Sequence, residues 1–503
     1  MRAHYERMIL DTEKRAQRAV KTQNPDKSSP YYGAFVMPNG VYMAKHALYC
    51  IADIGAVYCY PDSRFFHDEE YRASMLKGLD YVASQQHPNG LFDYITCNFF
   101  SAPDTAFCIG ILLPLAQYLR SRDSLTPQEA ELLARMDNII HAGGRGLLEG
   151  GFHTPNHRWA IASLLATCGK LYGKQDLTEA AFVYLNEGID CNADGEYSEK
   201  SAGNYNGVNN EAMLLAEALE DPSFEQHVIR NLRMMLTYWE PDDSIFTANS
   251  TRFDKDLLAP NFLTRYMLHP ELIDLESEAC GIPTDYRAWY ADSGIARVRR
   301  GNCTYTVMRD KSNFLYVHNG HIKLAVKLGG SFCEHRAFKA ETMEERDGEF
   351  HLHQTMRGWY YLPFPQKPPT SDWWKMDNAA RPKKLGPDMD IHVIVRETAQ
   401  GIDVAIQTSG VEGAPWRIEL AFSGIDRISN EHMTMPVHGD EVLVLKDSCF
   451  TVSNRVSSME VGPAFGFHHF TEGKEDSEAK TPGAATVYLT DYTAFHHVIS
   501  IKP

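Results

Sequence analysis

A chain of 503 residues, 44% hydrophobic and 23% charged, has the composition of a globular protein with more than one domain and ample core. Its net charge of −17 excludes the broad basic face that a nucleic-acid binder presents. No apolar run reads as long enough to span a bilayer, so no membrane partner is expected.

The first predicted element, within MRAHYERMILDTEKRAQRAV, is charged and amphipathic and lacks the apolar core of a signal peptide. Ten cysteines are scattered singly from Cys50 to Cys449, a pattern of reduced thiols. Both features point to a cytoplasmic protein. Helical periodicity marks 4–20, 41–58, 68–86, 103–121, 127–141, 156–171, 177–188, 208–219, 224–238 and 256–268. Near residue 285 the pattern changes to short alternating runs: Thr304–Met308, Phe314–His318, Ile322–Leu328, Ile391–Glu397, Asp403–Thr408, Trp416–Ala421, Glu441–Leu445 and Ala485–Thr490. Helices first and strands second predict two domains, a helical one over 1–285 and an antiparallel β-sandwich over 286–503.

The helical part has a rhythm. Segments starting near 41, 103, 156 and 208 are apolar and rich in small residues, and each precedes a more charged helix. Such repeated hairpins, closed into a toroid, place the apolar helices inside with their N-termini on one rim. The loops Tyr31–Asn39, Asn98–Thr105, Gly150–Arg158 and Asp194–Asn210 then converge. They are rich in Asn, Tyr, Phe and His, side chains that stack on sugar rings and bind hydroxyls.

Thr154-Pro155-Asn156-His157-Arg158 reads as a helix start, with Thr154 as cap and Pro155 at the first position. A helix N-terminus supplies partial positive charge and free N–H donors. With Asn156, His157 and Arg158 added, it suits a carboxylate. The run Asp194-Gly195-Glu196-Tyr197-Ser198-Glu199-Lys200-Ser201-Ala202-Gly203-Asn204-Tyr205 precedes the next inner helix, which brings Tyr205 to the same rim. In a uronic acid the C5 proton lies beside the carboxylate. Neutralising that carboxylate lowers the cost of removing the proton. A base takes the proton and an acid protonates the leaving oxygen on C4, and a tyrosine serves either role. Such β-elimination needs no metal, cofactor or nucleophile. No Cys/His set has zinc spacing, and in His468-His469 and His496-His497 adjacent strand residues point to opposite faces.

The Asn156-His157 pair opening a helix, followed by D-G-x-Y-x-E-x-S-x-x-x-Y ending at Tyr205, resembles the heparinase II/III group of polysaccharide lyases and is similar to toroid-fold alginate lyases. The resemblance is local, over about residues 150–215, and architectural over the rest. It implies an incomplete (α/α) toroid followed by antiparallel sheets. It implies that Asn156 and His157 neutralise the substrate carboxylate and that Tyr205 is the catalytic acid, with the role of base open to it as well. The group also uses a β-domain histidine, often in an H-x-H-x-D setting that this sequence lacks. His318, His321 and His335 are the candidates, with His335 favoured. His153, Arg158, Asn98, Asn204 and Tyr360 are the expected substrate-binding residues. Trp373-Trp374 reads as packing at a domain seam.

Two other functions stay open on the sequence. An (α/α)-barrel glycoside hydrolase needs two carboxyl groups, and Asp104, Asp194, Glu199 and Glu211 fall near the rim. A non-catalytic glycan-binding protein would keep the aromatic loops without turnover. The expected partner in every case is an acidic oligo- or polysaccharide.

Overall fold

A computed structural model describes residues 1–203, 205–213, 215–252, 263–276, 281–471 and 478–503. Two compact units emerge: Met1–Arg233 with Ser250–Gly281, and Met234–Asn249 with Ile282–Pro503. The seam at 281/282 lies close to the sequence boundary. The stretch 234–249, which the sequence reading assigns to the helical part, packs with the sheets instead.

The first unit is built from helix hairpins. Ala44–Cys59, Ala102–Ser121 and Pro155–Tyr172 pack side by side in succession, and each is followed by a partner: Glu69–Gln85, Pro127–Gly146 and Gln175–Leu185. The first members are the more buried, as their small and apolar residues dictate. The starts are well specified. Asp68 accepts from the Glu70 N–H at 2.9 Å, and Thr126 and Glu129 form a reciprocal capping box behind Pro127. The stripe expected at 208–219 is two short helices, Tyr205–Ala212 and Leu215–Leu219. Only Leu263–Leu268 of the 256–268 stripe lies within the described residues.

One expectation needs correction. Ala102–Ser121, at 20 residues and a mean hydropathy of 1.2, is long and apolar enough to cross a bilayer by length and composition. Here its apolar surface faces neighbouring helices, with Leu112, Leu115 and Leu119 fully buried.

The second unit holds two large sheets. One runs Val442–Val444, Ala485–Tyr492, Pro415–Ser423, Ile322–Phe332, Asn313–Asn319, Cys303–Met308, Ile295–Arg300, Asp285–Tyr290, with His335–Ala337 paired onto Ile322–Phe332. The other runs Thr434–Pro436, Arg427–Ser429, Phe450–Ser453, Ser458–Gly462, His496–Lys502, Gly401–Ser409, Met389–Thr398, Glu349–Met356, Thr342–Arg346. All pairs are antiparallel except Val442–Val444 with Ala485–Tyr492. The inner faces share one core, in which Val298, Val326 and Leu420 join Val393, Ile406 and Ile499. Every strand expected from alternation is present. Ile295–Arg300 escaped that reading because Arg297 and Arg299 interrupt its apolar pattern.

Those arginines explain why 234–249 belongs here. The fully buried Arg297 donates to Glu240 Oε1 at 2.8 Å and to the Thr237 carbonyl at 2.9 Å. Burial alone would raise the Glu240 carboxyl. The Arg297 guanidinium, aided by His318 and Thr304, outweighs it and holds the group far below the carboxylate range. Removing one partner of such a pair strands the other charge in the interior. Arg297→Ala is therefore expected to cost about 3–5 kcal/mol, read as a lowered urea midpoint, whereas Arg396→Ala on the exposed sheet face should shift it little.

Candidate active site

Side chains at the starts of three helices meet in the first unit. Lys45, second residue of Ala44–Cys59, places Nζ 4.7 Å from the Phe107 ring centroid and 3.8 Å from Asp104 Oδ1. The Phe107 ring meets His157 edge-on at 6.0 Å, and His153 lies 6.1 Å from His157. Asn98 reaches the same cluster, donating to Asp104 Oδ2 at 3.4 Å beside the shorter bond from Ser101.

The Pro155–Tyr172 helix begins where predicted, but its cap is different. The Thr154 side chain makes no cap bond and instead donates to Asn156 Oδ1. The carboxylate at this helix start comes from the protein itself. Buried Glu199 accepts from the Asn156 N–H at 3.3 Å and from Asn209 Nδ2 at 3.2 Å. A backbone donor expected to meet a ligand is thus occupied internally, and side chains are left to hold a substrate's acid group. Asn156 itself is buried, with its Oδ1 engaged by Thr154.

Several letters of the Asp194–Tyr205 run have structural tasks. Gly195 sits at φ 101°, and a Cβ there would lie 2.5 Å from the Arg230 carbonyl. Tyr197 is buried against Trp159 and donates to Asn210 at 3.0 Å. Ser201 caps the next helix, its Oγ accepting from the Tyr205 N–H at 3.1 Å. Tyr205 is left half-buried as the first residue of its helix. Arg252, which sequence reasoning missed, stands 4.7 Å over the Tyr205 ring. Its neighbour Thr251 donates to the Glu199 carbonyl at 2.6 Å, which ties this loop to the same scaffold. Nothing local in the sequence around Arg252 announces that role, because its partner lies far away in the chain.

His157 is electrostatically placed for chemistry. Burial lowers its imidazole below the ordinary 6.5, Asp104 opposes that, and the charges of His153, Lys45 and Arg252 add to the lowering. The ring is therefore neutral at pH 7, and its Nδ1 is buried without a hydrogen-bond partner among the described residues. Because the folded imidazole lies below its unfolded value, acid favours the unfolded chain: stability is lost as pH falls through 6.5 toward the folded value.

Arg158 is a correction. Its side chain is 2% exposed, donating to Glu187 at 2.7 Å and the Gly188 carbonyl at 2.9 Å. It locks the helix rather than meeting substrate, since the next helical position turns away from His157 into the packed side. Asn204 lies outside the described residues. His335 and Tyr360 belong to the second unit. His335 is half-buried and pairs with Phe332 across a tight turn, and Cys333 in that turn accepts from the Trp359 N–H at 3.2 Å. The His335 turn and the Tyr360 strand are therefore neighbours. Among the other histidines weighed, His318 is committed to Glu240 at 3.3 Å, and His321 is exposed.

The carboxylates of the hydrolase alternative divide. Asp104 and Glu199 are built into helix starts. Glu211 keeps an open surface, yet burial among surrounding atoms raises its carboxyl, and its charge is felt by Tyr49.

No protein-family profile and no curated protein sequence matches the chain. Solved structures do. The heparan sulfate lyase of Pedobacter heparinus is 12% identical with a TM-score of 0.52, covering 98% of this chain and 83% of that one. The Streptomyces coelicolor chondroitin AC lyase complexed with chondroitin sulphate is 12% identical with a TM-score of 0.52, covering 99% and 79%. The chain shares its fold with polysaccharide lyases. A Paenibacillus xanthan lyase extends the likeness at 10% identity and a TM-score of 0.51, with 99% of this chain on 57% of that one.

The charges around His157 give a signed expectation. In a proton NMR titration the wild-type His157 ring should titrate below 6.5. Asp104→Asn removes the anion that opposes the lowering, so that variant should titrate lower still.

Proposed function

We propose that this chain is a glycan lyase that cleaves uronic-acid-containing oligo- or polysaccharides by β-elimination, on a helical part arranged as an incomplete (α/α) toroid. One observation carries the reading: Arg252 stands over the Tyr205 ring, and its charge also acts on a neutral His157, which adjoins Asn156 at a helix start. The likeness of the fold to lyases that act on heparan sulfate, chondroitin and xanthan supports it.

In the proposed reaction the Asn156 amide and the His157 ring bind the uronate carboxylate. Withdrawing charge from that group stabilises the carbanion that develops at C5. A base removes the C5 proton. The electron pair of that C–H bond becomes the C4–C5 double bond, the C4–O bond breaks, and Tyr205 delivers a proton to the departing oxygen. Arg252 favours negative charge on the phenol oxygen once that proton has left. Asn98 and His153, which adjoin Asp104 and His157, are the proposed contacts to neighbouring sugar hydroxyls. No water is consumed. The hydrolase alternative is weakened because Asp104 and Glu199 are committed to helix starts.

With alginate, heparan sulfate, chondroitin sulfate and hyaluronan as substrates, at least one should yield a product absorbing in the near ultraviolet. Tyr205→Phe should lower kcat by about a hundredfold to ten-thousandfold with KM little changed, because the lost hydroxyl acts in the transition state. Wild-type rates in that variant, or cleavage without the chromophore, would overturn the proposal.

A further inference from the structure

In the second unit, Trp359–Tyr361 and Lys383–Leu385 form a two-stranded ribbon separate from both large sheets. Its base is fixed. Asp388 accepts from the Gly358 N–H at 3.1 Å and from Arg357 at 2.5 Å, and the Gly386 N–H donates to the Gly358 carbonyl at 2.9 Å. A Cβ on Gly358 would fall 1.9 Å from the Pro387 carbonyl oxygen, so the two strands close tightly there.

Cations and rings alternate along one face. Lys383 Nζ stands 3.7 Å from the Trp359 centroid and 5.2 Å from that of Tyr361. Arg381 stands 4.5 Å from Tyr361 and 5.2 Å from Phe364. Register puts Tyr360 opposite Lys384 on the other face, with Tyr360 58% exposed. At the tip, Asp372 accepts from the Trp374 N–H at 3.2 Å, and Asn378 donates to the Trp373 carbonyl at 2.9 Å. On that pinned turn Trp374 is 90% exposed, which overturns the expectation that it packs.

The charge of this segment opposes that of the chain. Between Arg357 and Asp388, six basic residues stand against three acidic ones, in a protein whose net charge is −17. Lys375 and Arg357 are paired with Asp372 and Asp388. Among the described residues, Arg381, Lys383 and Lys384 meet rings, solvent or, for Arg381, the Leu362 carbonyl, and no carboxylate.

We propose that this ribbon is a second binding surface for acidic oligosaccharides, in which exposed rings lie against sugar faces and Lys384 with its neighbours pairs with carboxylate or sulfate. An indole held out on a fixed backbone loses little freedom on binding. Local cations act within about 10 Å, so the acidic bulk of the chain does not cancel them. The inference rests on the reading of this chain as a handler of acidic glycans, but not on catalysis.

The test is native electrophoresis of the full chain carrying Tyr205→Phe, in gels cast with alginate, chondroitin sulfate or neutral dextran. Retardation is expected in at least one acidic gel and not in dextran. Alginate alone would assign the cations to carboxylates, and chondroitin sulfate alone to sulfates. Trp374→Ala and Lys384→Glu, both at exposed positions, should each weaken retardation about tenfold, which is a loss of ~1.4 kcal/mol. No retardation in either acidic gel, equal retardation in dextran, or either variant behaving as its parent would overturn the proposal. Retardation that depends on Trp374, together with a wild-type chain that yields no unsaturated product, leaves the ribbon standing and removes the lyase reading.

Discussion

The Glu199 carboxylate organises the candidate site. It accepts from the N–H at the start of the Pro155–Tyr172 helix, takes the Asn209 amide, and lies two residues before the serine that caps the Tyr205 helix. Its own carbonyl accepts from Thr251, next to the arginine over the Tyr205 ring. One buried anion thereby fixes the amide and imidazole, the phenol and the guanidinium relative to one another. The helix dipole that supplies this attraction is answered by the protein, so the site's positive character toward a ligand comes from side chains. Side chains can be aimed at one atom of a sugar, whereas a dipole acts along the whole helix axis.

The second unit uses buried charge differently. Arg297 and Glu240 tie the 234–249 stretch onto the first sheet, and Lys327 pairs with Glu419 at 3.2 Å where another strand is covered on both faces. Such pairs add little net stability, since desolvation offsets attraction. They do select a register, because a one-residue slip would leave a bare charge in the core. The sheets are therefore a rigid base for the small features at their margins, the His335 turn and the aromatic ribbon.

Much of this was legible in the sequence because the deciding signals were local. Pro103, Pro127 and Pro155 mark helix starts, and alternation marks strands such as Met389–Thr398, whose faces alternate between core and solvent as written. Hairpin rhythm alone leads to the expectation that Asn156, His157 and Tyr205 share one rim. What escaped needed partners distant in the chain. Arg158 looked like a ligand until Glu187 appeared beside it. Glu199 looked like a candidate acid until the helix start claimed it. Arg252 and the buried arginines of Ile295–Arg300 break local patterns for reasons that only packing supplies. Trp374 was misjudged because an indole reads as core unless a capped turn holds it in solvent.

The central claim is that bond cleavage proceeds by proton removal beside a held carboxylate, with no water entering the products. Cleavage of a uronate-containing oligosaccharide in water enriched in heavy oxygen, followed by mass spectrometry of both fragments, tests it most directly. This account predicts an unsaturated fragment and a reducing-end fragment, neither carrying heavy oxygen from the cleavage step once ordinary anomeric exchange is blocked by rapid reduction. One heavy oxygen per broken bond would contradict it and identify a hydrolase.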